Sequence, residues 1–222
     1  LTSSLVERIA QTTQRLAAKL LATDQPIPQL LCVDATHEEL SFRFAEPANL
    51  PEPWQPNEDR RQWRVRTDTD PDTIGPWDEE SEPVWPTLVT IGQDEQGWHL
   101  INLETLGVIN ITGDATNATD LVRAWIAELA IVPWARDVDI VRGELFAELE
   151  PLAHQSPSLR GDAIASDMLG TATAHDNGLK GEDLPTVDAG RAAQAGPDLW
   201  VPNIAILAED QDKLDDLIEL IE

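Results

Sequence analysis

Eight consecutive residues, Gly113, Asp114, Ala115, Thr116, Asn117, Ala118, Thr119 and Asp120, lie between an apolar run and a helical pattern. A glycine turn feeding a helix can receive an anion, because the turn amides and the helix N-terminus direct partial positive charge at it. A polyphosphate needs more: a cation against its charge and a hydroxyl that helps hold magnesium. This stretch contains no lysine or arginine, and Asp114 and Asp120 add two carboxylates that repel phosphate. Taken alone, the same residues are a strand-to-helix turn with Asp114 or Thr116 as the N-cap.

Other chemistry finds less support in the residue pattern. His37, His99, His154 and His175 are far apart and form no HxxH or HExxH pair, which argues against zinc. There is no G-x-S-x-G elbow. Cys32 is the lone cysteine and sits in an apolar run, as a buried inert thiol does. Asp167, Asp176 and Asp183 fail the calcium-loop spacing. Glu144, Glu148 and Glu150 are close in sequence, but among 41 acidic residues such proximity arises by chance.

The elements that must position the 113–120 stretch follow from periodicity. Residues 3–22 read as an amphipathic helix, with Leu5, Ile9, Leu16 and Leu20 on one face. A hairpin is expected from 29–34 and 39–45, where Phe42 and Phe44 alternate with polar neighbours, and 61–67 adds a third strand. Proline- and acid-rich loops at 46–59 and 68–86 carry Trp54, Trp77 and Trp85, expected to pin those loops to the core. A second hairpin, 87–92 with 97–103, turns at Gly97, which suits a positive φ. Residues 106–112 are almost uninterruptedly apolar, as buried parallel strands are.

Residues 119–131 read as a helix with Trp125 in the core, and 138–141 as a short strand. The 154–199 region is rich in Gly, Asp, Ser and Ala, with turn signals at 176–178 and 180–181; disorder is expected in parts of it, with a short helix near 187–195. Residues 201–208 read as a strand and 212–222 as a helix.

Charge narrows the partners. With 15 Lys and Arg against 41 Asp and Glu, the formal net charge is -26, which opposes nucleic-acid backbones and anionic membrane surfaces. No segment reaches the roughly 20 apolar residues of a membrane span, and no signal peptide is apparent. The chain begins with Leu1 and stops inside a helical pattern, so a longer parent protein is expected.

Strand, glycine turn, helix, then a late strand and helix is the grammar of a P-loop unit. Residues 87–130 resemble the FtsK/SpoIIIE-type motor family. Ile91-Gly92-Gln93-Asp94-Glu95-Gln96-Gly97 matches that family's hairpin, Asn102-Leu103 takes its "D-L" place, Val108–Thr112 its strand and Gly113–Asp120 its loop. A working loop reads G-x-x-x-x-G-K-[ST]. Here Gly113 is kept, while Ala118, Thr119 and Asp120 replace the second glycine, the lysine and the hydroxyl residue. In the second acidic motif Ala208 takes the place of the aspartate and Glu209 remains. The resemblance therefore implies a degenerate phosphate loop, Gly113–Asp120 with Glu209, that no longer works.

A second resemblance covers most of the chain. It looks like the central cytoplasmic region of actinobacterial membrane proteins that carry LysM and BTAD-like activator domains. The matching strings are Leu88–Gly92, Gly107–Asp114, Ala127–Ala130 with Pro133-Trp134-Ala135 and Asp137, Gly190-Arg191-Ala192, and Trp200–Ala208. The resemblance implies a regulatory or scaffold module of a membrane-anchored protein, located in the cytoplasm.

Together these readings predict an α/β fold: a degenerate P-loop NTPase-like core with a mainly parallel sheet, preceded by an N-terminal helix and antiparallel β-hairpins. Residues 1–86 are expected to form a small β-rich attachment and 87–222 the P-loop-like domain. The expected function is a non-catalytic interaction or regulatory domain, not an enzyme. No cofactor, catalytic residue or metal site is expected. Its partners would be another protein or other domains of the parent, with no nucleic acid and no membrane insertion. The alternatives are a nucleotide-binding regulatory domain without hydrolysis, using the amides of Gly113–Asn117, or an unorthodox NTPase.

Overall fold

The computed structural model describes residues 1–78, 81–136, 138–142, 162–196 and 199–207. Helix α1 (Ser3–Ala22) starts at Thr2, whose hydroxyl accepts from the Leu5 amide, and buries Leu5, Ile9, Leu16 and Leu20 as the spacing predicts. Each fully buried aliphatic side chain of this kind contributes about 1.5–3 kcal/mol. Their partners are Leu30, Val33, Leu40, Phe42, Trp63 and Val65 on one face of a sheet, in a single cluster with them.

That sheet has six strands: β1 (Leu30–Ala35), β2 (Glu39–Phe44), β3 (Gln55–Pro56), β4 (Gln62–Arg66), β5 (Leu88–Gln93) and β6 (Trp98–Asn102), in the order β3-β4-β2-β1-β6-β5. Every pairing in it is antiparallel. The expected mainly parallel sheet is therefore not the architecture. Parallel neighbours need long crossovers, usually helical, whereas β1–β2 and β5–β6 are joined by tight turns. Gly97 makes the second turn at φ +150°; a Cβ there would press on the Ala35 carbonyl 2.5 Å away. The expected boundary between residues 86 and 87 falls inside this sheet, because β1 pairs with β6.

Parallel pairing occurs between β7 (Asp139–Arg142) and β8 (Asn203–Ile206), register Ile140 to Ile204. Between them in sequence lie α5 (Asp162–Glu182) and α6 (Val187–Ala192). Helix α5 replaces the loop expected around residues 176–181. Asp176 and Lys180 pair at 2.5 Å one turn apart along it, and Gly178 lies inside it because Leu199 and Trp200 occupy the space a Cβ would need.

Residues 106–112 do not form the expected strand. After β6 the chain enters α3 (Leu103–Leu106), and Gly107, at φ +68°, ends that turn of helix. Beyond it Val108 and Ile109 are 48% and 36% exposed. An apolar β-branched run has strand propensity, but a strand exists only where a ladder partner is placed beside it.

The proline-loop tryptophans divide. Trp54 and Trp85 are buried, while Trp77 is 43% exposed, with the Arg15 guanidinium 5.6 Å from its ring centre. Cys32, expected to be buried, is half-buried; burial and then Asp34 push its thiol pKa up. The expected helix at 212–222 lies outside the described residues.

Candidate functional site

Helix α4 (Ala115–Leu129) begins four residues before the expected start, and the candidate loop is largely its first two turns. Gly113, at φ +120°, is the turn residue. Asp114 is the N-cap: its Oδ1 accepts from the Asn117 amide at 2.9 Å. That carboxylate sits where an oxyanion would have to approach the same amide. Ala115, Thr116 and Asn117 form the exposed first turn. Thr119 donates its hydroxyl to the Ala115 carbonyl at 2.7 Å, and Asp120 pairs with Arg123 at 2.8 Å. The arginine one turn on is thus directed at a carboxylate of the loop itself. Ala118 and Thr119 are half-buried. Glu209, and Glu144, Glu148 and Glu150, lie outside the described residues.

The rest of α4 is joined to the edge of the six-stranded sheet. Thr90 on edge strand β5 donates its amide to Glu128 Oε2 at 2.8 Å and its hydroxyl to Oε1 at 2.7 Å. Its carbonyl accepts from the Trp125 indole at 2.8 Å. Trp134 donates to the Leu88 carbonyl at 3.0 Å. Side chains from a helix and the turn after it therefore occupy the polar groups by which an edge strand recruits another strand. Trp125 is buried as expected, with Val89, Leu103, Ile126, Leu129 and Ile140.

A second, buried charged cluster lies elsewhere, around Arg191. Arg191 on α6 is 5% exposed. Its Nη1 and Nη2 donate to the two carboxylate oxygens of Glu104 on α3, at 2.7 and 2.5 Å. Its Nε donates to the Trp200 carbonyl at 2.7 Å. Nη1 also reaches the Val84 carbonyl and Asp188 Oδ1, each at 3.3 Å. Burial, and then the charge of Glu104, push the Asp188 carboxyl up to about 7, against the opposing pull of Arg191. The Trp85 indole N–H favours the anion slightly without reaching hydrogen-bonding geometry. Sequence reasoning did not assign this cluster. Its contacts span up to 107 residues, and the local signal was an arginine in a short helix capped by Thr186.

On β6, His99 bridges two acids, with Nδ1 2.7 Å from Asp34 of the neighbouring β1 and Nε2 3.2 Å from Asp94 of the β5–β6 turn. Hydrogen bonding to Asp34, then Asp94, raises its pKa. Among the described residues no group of three or more His, Cys, Asp or Glu is placed to hold a metal.

No protein-family model matches the sequence, and no curated protein matches it. Among solved structures, the pCW3 conjugation coupling protein TcpA, in its monomer form with ATPgS, aligns over 96% of this chain and 71% of its own, with 15% identity and a TM-score of 0.43. A likeness at that level bears on neither the loop nor its chemistry.

Proposed function

We propose that this chain is a non-catalytic interaction or regulatory module, the cytoplasmic part of a larger membrane-associated protein, whose partner is another protein or another domain of its parent. The observation that carries the non-catalytic reading is the Asp114 carboxylate on the Asn117 amide. A phosphate there would displace an intramolecular anion and then meet Asp120, itself paired with Arg123. A helix N-terminus contributes about 0.3–1 kcal/mol toward an exposed anion. That is too little to overcome two carboxylates beside a polyphosphate. No helix among the described residues is long and apolar enough to cross a membrane.

Titration calorimetry with ATP, ADP and GDP in magnesium tests the loop. The expected result is no binding heat with millimolar nucleotide. Saturable binding would replace this reading with that of a nucleotide-binding regulatory domain.

A further inference from the structure

Arg191 gathers four acceptor groups from three other parts of the chain and its own helix: Val84, Glu104, Trp200 and Asp188. Trp200 is 1% exposed. Its ring lies against Gly190 of α6, where a Cβ would come within 2.5 Å of it, and against Gly178 of α5. Its indole donates to the Ala195 carbonyl at 2.5 Å. One guanidinium thus holds α6 and the Trp200 segment onto α3 and the loop that precedes β5.

The charges in this cluster do not balance. Two carboxylates, Asp188 and Glu104, share one guanidinium, and Glu104 takes the short bidentate contact. Asp188 is left with a contact of 3.3 Å. The other titratable neighbour is His175 of α5, whose ring centre is 6.0 Å from that of Trp200. Burial lowers the pKa of His175, so it supplies no compensating charge near neutral pH. Trp85 contributes only an indole N–H. With both acids ionised, the cluster would hold one uncompensated buried negative charge, a costly arrangement.

We propose that Asp188, Arg191 and Glu104 form a proton-gated clasp, closed over Trp200 when Asp188 carries a proton and released to water as that carboxyl ionises. The proton leaves Asp188 for solvent on opening, and Arg191 keeps Glu104 as its counter-ion. The sign follows from linkage. The closed state binds a proton that the open state gives up, so the clasp weakens as pH rises from the ordinary carboxylate range to about 7 and levels off above that.

Hydrogen exchange of the Trp200 indole, followed by NMR in the whole chain from about pH 4 to about pH 8, reads the opening. The Val33 amide in β1 serves as the global reference. The Trp200 protection factor should fall by about tenfold per pH unit and then level near neutrality, and it should stay below that of Val33 at every pH, which marks the opening as local. Asp188→Asn should make the Trp200 profile flat. Glu104→Gln should move the plateau to lower pH. A flat wild-type profile, or Trp200 protection equal to that of Val33 at every pH, overturns the proposal without any variant. An unchanged slope in Asp188→Asn, or an unmoved plateau in Glu104→Gln, overturns it as well.

Discussion

The Glu128 carboxylate closes on Thr90 with both oxygens, one on the backbone amide at 2.8 Å and one on the hydroxyl at 2.7 Å. A single side chain of α4 thereby does for β5 what a seventh strand would do. Glu128→Ala leaves the part-buried Thr90 amide without that acceptor, which costs about 1–3 kcal/mol. Urea denaturation should show the loss. Glu128→Gln, which keeps one acceptor oxygen, should lose less.

Trp125 fastens the same joint from the preceding turn. It is 8% exposed, and its indole donates to the Thr90 carbonyl at 2.8 Å. Trp125→Ala should cost about 3–5 kcal/mol. Trp125→Phe keeps much of the packing and loses the hydrogen bond, so its cost should be smaller. An unchanged melting temperature in the alanine variant would contradict the packing of α4 on β5.

Two glycines give opposite expectations. A Cβ on Gly190 would lie 2.5 Å from Trp200 Cε2, whereas one on Gly170 of α5 meets nothing within 4 Å. Gly190→Ala should therefore destabilise by about 1–3 kcal/mol through overpacking. Gly170→Ala should stabilise by about 0.5–1 kcal/mol by reducing the entropy lost on helix formation. Thermal melts of the two variants side by side check both signs.

His99 can donate to Asp34 and Asp94 at once only as the imidazolium. Its folded-state pKa lies above the ordinary value, with Asp34 the larger cause and Asp94 the next. The contribution to stability is then fully present below about pH 6.5, the unfolded value, and is lost as pH rises through the folded value. The difference in melting temperature between the wild type and His99→Gln should shrink over that interval. NMR titration of the His99 ring should give a midpoint above the ordinary value.

Elements with local causes were legible in the sequence. Spacing placed α1, and the alternation of Phe42 and Phe44 together with Gly97 placed both hairpins. The apolar run at 106–112 misled, because strand propensity says nothing about whether a partner strand is at hand. Helix α5 was hidden by Gly, Asp and Asn that usually mark turns, and the reason for Gly178 lies at Leu199 and Trp200. The locks on β5 join residues 35 to 46 positions apart. The Asp188 cluster is similarly non-local, so no short window of sequence contains it. At the loop the residue types alone gave the loss of cationic chemistry, and the choice of Asp114 over Thr116 as the cap came from geometry.

That choice has a measurable consequence. If Asp114 is a cap, its contribution belongs to stability and follows capping chemistry. Asp114→Ala removes the acceptor for the Asn117 amide and should cost about 0.5–2 kcal/mol. Asp114→Asn keeps an acceptor oxygen on the same atom and should cost little. Asp114→Gly should fall near the asparagine variant, since glycine at this position costs only a few tenths of a kcal/mol. The order Asn, Gly, Ala in denaturation midpoint is the signature of a cap. Equal losses in all three would mean that the carboxylate charge matters more than the hydrogen bond. In that case Asp114 would have to be read as an electrostatic feature of the surface.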